Sequence, residues 1–307
     1  MDIIMNWLGT LPGAVGQGLV WGVMAIGLYI TFKVLDLADL TVDGSITTGA
    51  AVCTILITMD VPVWAALLCA IAAGMIAGLV TGLLHTALGI PAILAGILTQ
   101  LMLWSVNLIV MGGKANVALT RFKYGDKLLI SSNNSVYVNL AILAGIIIVL
   151  IAVLYWFFGT EMGMSLRSTG CNIEMSRAQG INTNFTKVFG LALSNGVVAL
   201  SGALLAQQQG SADINMGRGA IVIGLAAVIV GEALFQKKTT NFALRLFFVV
   251  CGAIIYWFVF QTVIFLGLPS ELLKMLSALV VALFLGVPYL KSHIMKKRNK
   301  KEANKNA

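Results

Sequence analysis

The only two histidines in the chain are His85 and His293. One falls in a turn and the other in a basic tail. Neither has the Ser/Asp or Cys/Asp company that nucleophilic catalysis needs. Cys53, Cys69, Cys171 and Cys251 show no CxxC or metal-ligand spacing. Three of them lie in apolar runs, where a thiol packs as a small hydrophobe. A Walker A phosphate loop (GxxxxGK followed by Ser or Thr) is missing. Catalytic, cofactor-binding and metal-ligating residues are therefore not expected. Any ATP that drives this protein must be hydrolysed by another chain.

The remaining chemistry is that of polar groups in an apolar background. Asp36, Asp39 and Asp43 lie in LDLADLTVDG. Asp43 is well placed to N-cap the helix that follows at the membrane interface; the alternative is a gate or a partner contact. Gln100 and Asn107 sit in an apolar run and can line a translocation path. Ser194 and Asn195 sit in another, where cross-helix hydrogen bonding competes with a pathway role. Asp43, Gln100, Asn107 and Asn195 are thus the candidate pathway or gate residues. Glu232, close to Lys237 and Lys238, reads as an interfacial ion pair rather than a proton relay. Gln207, Gln208, Gln209 and Asp213 fall at an outer edge, where an extracytoplasmic partner can meet them.

The elements that position these groups follow from composition. Of 307 residues, 59% are hydrophobic and 10% charged, with a mean hydropathy of +0.95. A soluble domain carries about 25% charged residues, so this chain cannot cover itself with polar surface. Val61–Gly113 contains no Asp, Glu, Lys or Arg. As one helix it would be roughly 80 Å long, against a hydrocarbon core of about 30 Å. It must fold back, and HTALGIP at His85–Pro91 supplies the turn. The runs are continuously apolar and do not alternate, which excludes a β-barrel. The fold class expected is an all-α polytopic membrane bundle.

Nine apolar segments are expected: Ala14–Phe32, Gly44–Thr58, Val63–Leu84, Ile90–Gly112, Val138–Phe158, Phe185–Gln207, Gly219–Phe235, Phe242–Leu266 and Leu272–Tyr289. They form one transmembrane domain over 1–290, followed by a basic tail over 291–307. The second and seventh are short, which marks broken or re-entrant helices beside a pathway. Gly74, Gly78 and Gly82 make two overlapping GxxxG units and Gly18 with Gly22 a third, the spacing of close helix packing.

Lys and Arg set the orientation. With the tail inside, 14 cations fall in inside connections and 6 in outside ones. The net charge of +8 comes largely from that tail, which reads as a lipid-facing cytoplasmic segment rather than a nucleic-acid site. The N-terminus lacks the basic n-region of a cleaved leader, so the first span is expected to stay. It starts outside if Gly44–Thr58 crosses the membrane and inside if that segment is re-entrant.

The loop Gly159–Asn184 carries the most information. A short polar helix is expected over Asn172–Gln179, with an Asx N-cap, Glu174 in its first turn and Gly180 as its C-cap. Asn182 or Thr183 then caps the next span. Ile173 and Met175 offer apolar contacts and Glu174 and Arg177 ionic ones, a surface suited to a partner's groove.

The stretch Thr169–Gly180 with INTNFTKVFGLALSNGVVALSGALLA closely resembles the coupling-helix region of ABC importer permeases of the branched-chain amino-acid and ribose type. VLDLADLTVDGSITTGAAV and VIVGEALF resemble further segments of that family. The pattern is most similar to the subfamily paired with proposed aromatic amino-acid binding proteins. The resemblance implies a permease subunit of an importer for a small solute, an amino acid being expected, in a bacterial plasma membrane. It implies a permease homodimer and a substrate-binding protein outside. It further implies ATPase subunits docked at Asn172, Ile173, Glu174, Met175, Arg177, Gln179 and Gly180. The alternative is an ion-gradient-driven secondary transporter, which needs mid-bilayer carboxylates that these segments nearly lack.

Overall fold

Proline and glycine decide where the apolar chain turns. In the computed structural model, which describes residues 2–119, 128–130, 135–235, 241–265 and the single positions 275, 278, 279, 282 and 286, Pro62 and Pro91 stand immediately before two helices, α3 (Val63–Thr86) and α4 (Ala92–Val110). A proline there forfeits no intrahelical hydrogen bond. The expected turn between α3 and α4 is present. Gly89 takes a left-handed φ of 68°, and His85 Nδ1 lies 2.8 Å from the Ile90 carbonyl.

The other helices are α1 (Asp2–Tyr29), α2 (Val42–Thr58), α5 (Val136–Phe158), α6 (Glu161–Cys171), α7 (Ile173–Ala178), α8 (Thr183–Gln209), α9 (Ala220–Phe235) and α10 (Phe242–Phe265). Among the described residues, six stretches are long and apolar enough to cross a membrane: Gly9–Val34, α3, α4, α5, α8 and α10; α2 and α9 are shorter. A two-stranded ribbon, β1 (Asn116–Ala118) and β2 (Ser211–Asp213), pairs antiparallel with Val117 opposite Ala212. The all-α multi-pass bundle is as expected. The ninth segment Leu272–Tyr289, the tail 291–307 and most of 120–134 lie outside the described residues.

α8 is the axis of the bundle. Its apolar window is 83% buried, against 17% for α5, so α8 meets protein where α5 meets the surroundings. Small side chains make this possible. A Cβ on Gly74 or Gly78 of α3 would overlap the Asn195 or Leu191 carbonyl of α8, and one on Gly49 of α2 the Ala199 carbonyl. Gly18 and Gly22 admit α10 in the same way, at Ile254 and Val250. Between helices in lipid there is little hydrophobic drive, so such backbone approach supplies the attraction.

α1 runs antiparallel to α8. A Cβ on Gly16 would lie 3.2 Å from Gln208 Nε2 at one end, and Gly170 of α6 packs on the Val34 carbonyl at the other. After α1 the chain makes a turn of π-helix (Ile30–Val34), with Leu35 N donating to Ile30 O at 3.0 Å. Asp36 then takes a φ of 54°, a left-handed conformation that Asp tolerates. From there Leu35–Thr41 enters the bundle without regular structure, passing Gly96 of α4. α2 starts inside the bundle and continues to the far end of α8, where Gln207 Nε2 lies 3.6 Å from Cys53 Sγ. It therefore crosses and is not re-entrant, and the N-terminus starts on the face opposite α6 and α7.

α9 also starts inside the bundle. Gly217 packs on the Asp43 carbonyl, Gly224 on Met24 and Leu28, and Glu232 meets Lys33. Both short segments are thus helices that begin within the bundle, as their lengths suggested. Glu232 forms an ion pair, as expected: Lys33 Nζ lies 2.6 Å from it, because the π-turn brings α1 to the same level, while Lys237 and Lys238 lie outside the described residues.

Lys33, Arg167, Arg177, Lys187 and Arg245 gather toward the α6–α7 face, and Lys114 and Arg218 toward the other. Positive residues mark the cytoplasmic side. In a background without other cysteines, exposed Cys171 should react with a membrane-impermeant maleimide in inside-out vesicles and stay unmodified in intact cells. Labelling in intact cells would invert the topology.

Candidate functional site

Two polar regions stand out, one on the cytoplasmic face and one within the bundle. On the face, the loop after α5 folds into two helices where the sequence suggested one. Thr160 caps α6 by accepting from Gly163 N. The short expected helix is α7. Asn172 caps it, its side chain accepting from Met175 N at 3.0 Å, and Gly180, with a φ of 81°, follows its end. Of the two caps open for α8, Asn182 fills the position and accepts from Phe185 N at 3.2 Å.

α7 is anchored on one side and open on the other. Ser176 is fully buried and bonds Ser168 of α6 at 2.8 Å. Arg177 Nε donates to Thr183 Oγ1 at 3.0 Å. Opposite them, Asn172, Glu174, Met175, Gln179 and Gly180 are exposed, and Ile173 is half-buried. Glu174 and Arg177 approach to 3.4 Å with side chains 83% and 52% exposed, a pair that adds little to stability. Gly170 does not leave α7 free to project. It lies inside α6 and allows close contact with Val34, so α6 and α7 are tied to the end of α1 and, through Thr169 and Thr186 at 3.0 Å, to the start of α8.

Within the bundle, the sequence left the three Asp residues open between interfacial caps and a gate or partner contact. The structure separates them. Asp36 is exposed, but Asp39 is 1% exposed and lies beside Asn195, near the middle of α8. Its two oxygens accept from Thr41 N at 2.8 Å and from Asn195 Nδ2 at 2.7 Å. Asn195 Oδ1 accepts from Ser45 at 2.6 Å, and Nδ2 also donates to Leu191 O at 2.9 Å. Asp39, Ser45 and Asn195 form a closed knot holding the entry of α2 to α8. Asn195 is therefore satisfied on all sides and does not border open space. Asp39 was missed as a member because no periodicity marks the irregular Leu35–Thr41 entry.

Asp43 does not N-cap its own helix; Thr41 occupies that position. Its carboxylate accepts from Gly219 N and Ile221 N, each at 2.9 Å, and so caps α9. An anion is favoured at both helix starts. Asp43 then borders a cleft of about 190 Å³ that also includes Gln100, Trp104, Asn107 and Arg218. Three of the four candidate pathway residues therefore meet in one place, contributed by α2, α4 and the approach to α9. Asn107 is 1% exposed, and both its side-chain polar atoms lack a partner among the described residues. An unsatisfied buried amide costs about 1–3 kcal/mol, which a polar molecule in the cleft would recover. Gln207, by contrast, does not face outward. It is buried and accepts from Leu129 N at 3.0 Å.

A family model described as "Branched-chain amino acid transport system / permease component" matches residues 11–285. The chain is 39% identical over 280 residues to a tyrosine transport system permease protein of Clostridioides difficile (strain R20291), covering 91% of this chain and 92% of the relative. It is 32% identical over 276 residues to an uncharacterized protein of Rickettsia prowazekii (strain Madrid E), covering 89% and 96%. It is also 28% identical over 168 residues to the autoinducer 2 import system permease protein LsrC of Yersinia pestis (strain Pestoides F), covering 54% and 46%.

Proposed function

Because this chain belongs to the family of branched-chain amino acid transport system permease components, and is thus the multi-pass permease of an ABC importer, we propose that it imports an amino acid and is driven through α7. The observation that carries the reading is the build of α7. Its back is hydrogen-bonded to α6 and α8, while Glu174 and Met175 face outward. A rigid helix rooted in two spans passes a partner's movement to the bundle, whereas a loose loop would absorb it.

In this reading an ATPase subunit docks on α7 of each protomer of a permease homodimer, and a substrate-binding protein docks on the opposite face. Asp43, Gln100 and Asn107 line the path. Asn195 acts from behind it by holding α2 in place. An amino acid is favoured over an uncharged solute by the name of the Clostridioides difficile relative and by a cleft offering an acid, two amides and a guanidinium. The closed hydrogen bonding of Asp39 gives no support to an ion-driven mechanism, which needs a carboxylate that exchanges protons or ions with the path.

The test is charge reversal on the open side of α7. In proteoliposomes with the partner ATPase, Glu174→Lys should lower uptake about tenfold, the scale of a docking defect of about 1.4 kcal/mol. Elution and thermal stability of the permease should be unchanged. Arg177→Glu should lower uptake too, with some loss of stability because its bond to Thr183 goes. Wild-type uptake and ATPase assembly in both variants would reject the role of α7.

A further inference from the structure

At the cytoplasmic ends of α5 and α10 lies a feature outside the proposed path. A crevice of about 510 Å³ opens between Tyr155, Trp156, Thr160, Arg167, Asn241 and Phe242. Behind it is a second cavity of about 200 Å³, bordered by Tyr29, Lys33, Arg167 and Arg245. Arg167 stands between the two. Its guanidinium stacks 4.3 Å from the Phe242 ring centroid and 5.4 Å from that of Phe158, which holds it in place.

The charge around the crevice does not balance. Lys33 is paired with Glu232, but Arg167 and Arg245 have no ion-pair partner among the described residues, and Arg167 Nε is buried without a hydrogen-bond acceptor. Burial lowers the Arg167 guanidinium from its ordinary value, and Arg245 adds to the lowering. Arg245 hydrogen-bonds the Tyr29 side chain, and the nearby carboxylate of Glu232 is taken by Lys33, so the two guanidinium groups are left in excess of negative charge among the described residues, and their planar fork suits phosphate oxygens.

We propose that this crevice is a binding site for the headgroup of an anionic phospholipid of the cytoplasmic leaflet. Arg167 and Arg245 would take the phosphate, and Thr160 and Asn241 the polar remainder of the headgroup. A lipid is favoured over a protein partner by the walls. Tyr155 and Trp156 are 54% and 72% exposed, the aromatic pair expected at a membrane interface. Below them Val149 and Val153 of α5, and Leu244 and Phe247 of α10, are also exposed. An acyl chain can lie along these faces. The lipid would wedge the start of α10 against α5 and α6, next to the root of α7.

The full-length chain, purified in detergent and titrated with phospholipids of matched acyl chains, tests this by native mass spectrometry. One phosphatidylglycerol per chain should be retained roughly thirtyfold over phosphatidylcholine, as about 1 kcal/mol for each of the two guanidinium groups implies. Arg167→Gln combined with Arg245→Gln should bring the ratio close to one, while Lys187→Gln, on the same face but outside the crevice, should leave it unchanged. Millimolar inorganic phosphate should not displace the lipid. Equal retention of both lipids by the wild type would overturn the proposal without recourse to any variant. So would displacement by inorganic phosphate, which would make this a free-anion site. A double variant that keeps its lipid preference but loses the ATPase subunit would reassign the crevice to a protein contact.

Discussion

Asn195→Leu should destabilise the permease by about 1–3 kcal/mol, the usual consequence of leaving a buried polar group without its hydrogen-bond partner. The side chain that remains is Asp39, whose two oxygens each accept a hydrogen bond in the intact knot. Without the amide, one of those oxygens faces leucine in a fully buried site, and the Ser45 hydroxyl loses its acceptor as well. Since α2 enters the bundle through this knot, the damage should reach transport. Thermal unfolding of the purified chain by fluorescence-detected size exclusion gives the measurement. The single variants Asp39→Asn and Asn195→Asp should both be destabilised, by mismatched donors in one case and paired acids in the other. Combining them exchanges acid and amide and should recover much of the loss. A wild-type melting curve for Asn195→Leu, or a swap no better than its parts, would show that the knot does not hold α2.

The second large effect is steric. Gly78→Leu should leave little folded protein, because the new Cβ would overlap the Leu191 carbonyl of α8. A flexible side chain could move aside, but here the obstacle is backbone in the middle of the axial helix. Separating α3 from α8 would also strip the approach at Gly74 and Gly82, so the cost should exceed the about 1–3 kcal/mol of ordinary overpacking. Gly145→Leu in α5 is the control, since a Cβ there would meet nothing within 4 Å. Monodisperse yield from detergent should fall at least about tenfold for Gly78→Leu, the equivalent of about 1.4 kcal/mol, and stay near wild type for Gly145→Leu. Equal yields would mean that α3 and α8 do not depend on this contact.

Much of this was legible along the chain for simple reasons. Scarcity of charge and runs such as Val61–Gly113 demand a folded-back bundle of helices, because unpaired backbone cannot face lipid. The cap at Asn172 and the stop at Gly180 are local: a side chain bonds the backbone three residues on, or a left-handed turn needs a glycine. Such features require no knowledge of the rest of the molecule. The GxxxG spacing of α3 was readable as well, since helix periodicity puts Gly74, Gly78 and Gly82 on one face.

What the sequence could not hold is which distant groups meet. Asp43 precedes an apolar run and looks like the cap of its own helix, yet it caps α9, which starts 177 positions later at Ala220. Asp39 looks interfacial because it shortly precedes an apolar segment whose start an Asp can cap, but a π-turn and a left-handed Asp36 direct it into the bundle. The second helix of the cytoplasmic loop was missed because α6 has no apolar stripe to announce it; contacts with α1 and α8 define it. Membrane residence, helix content and the short capped helix were determined by the sequence itself, because hydropathy and capping act within a few residues. The polar knot, the cleft and the doubled guanidinium crevice were decided only by tertiary structure, because a buried polar group's role depends on partners that helix packing alone brings within 3 Å.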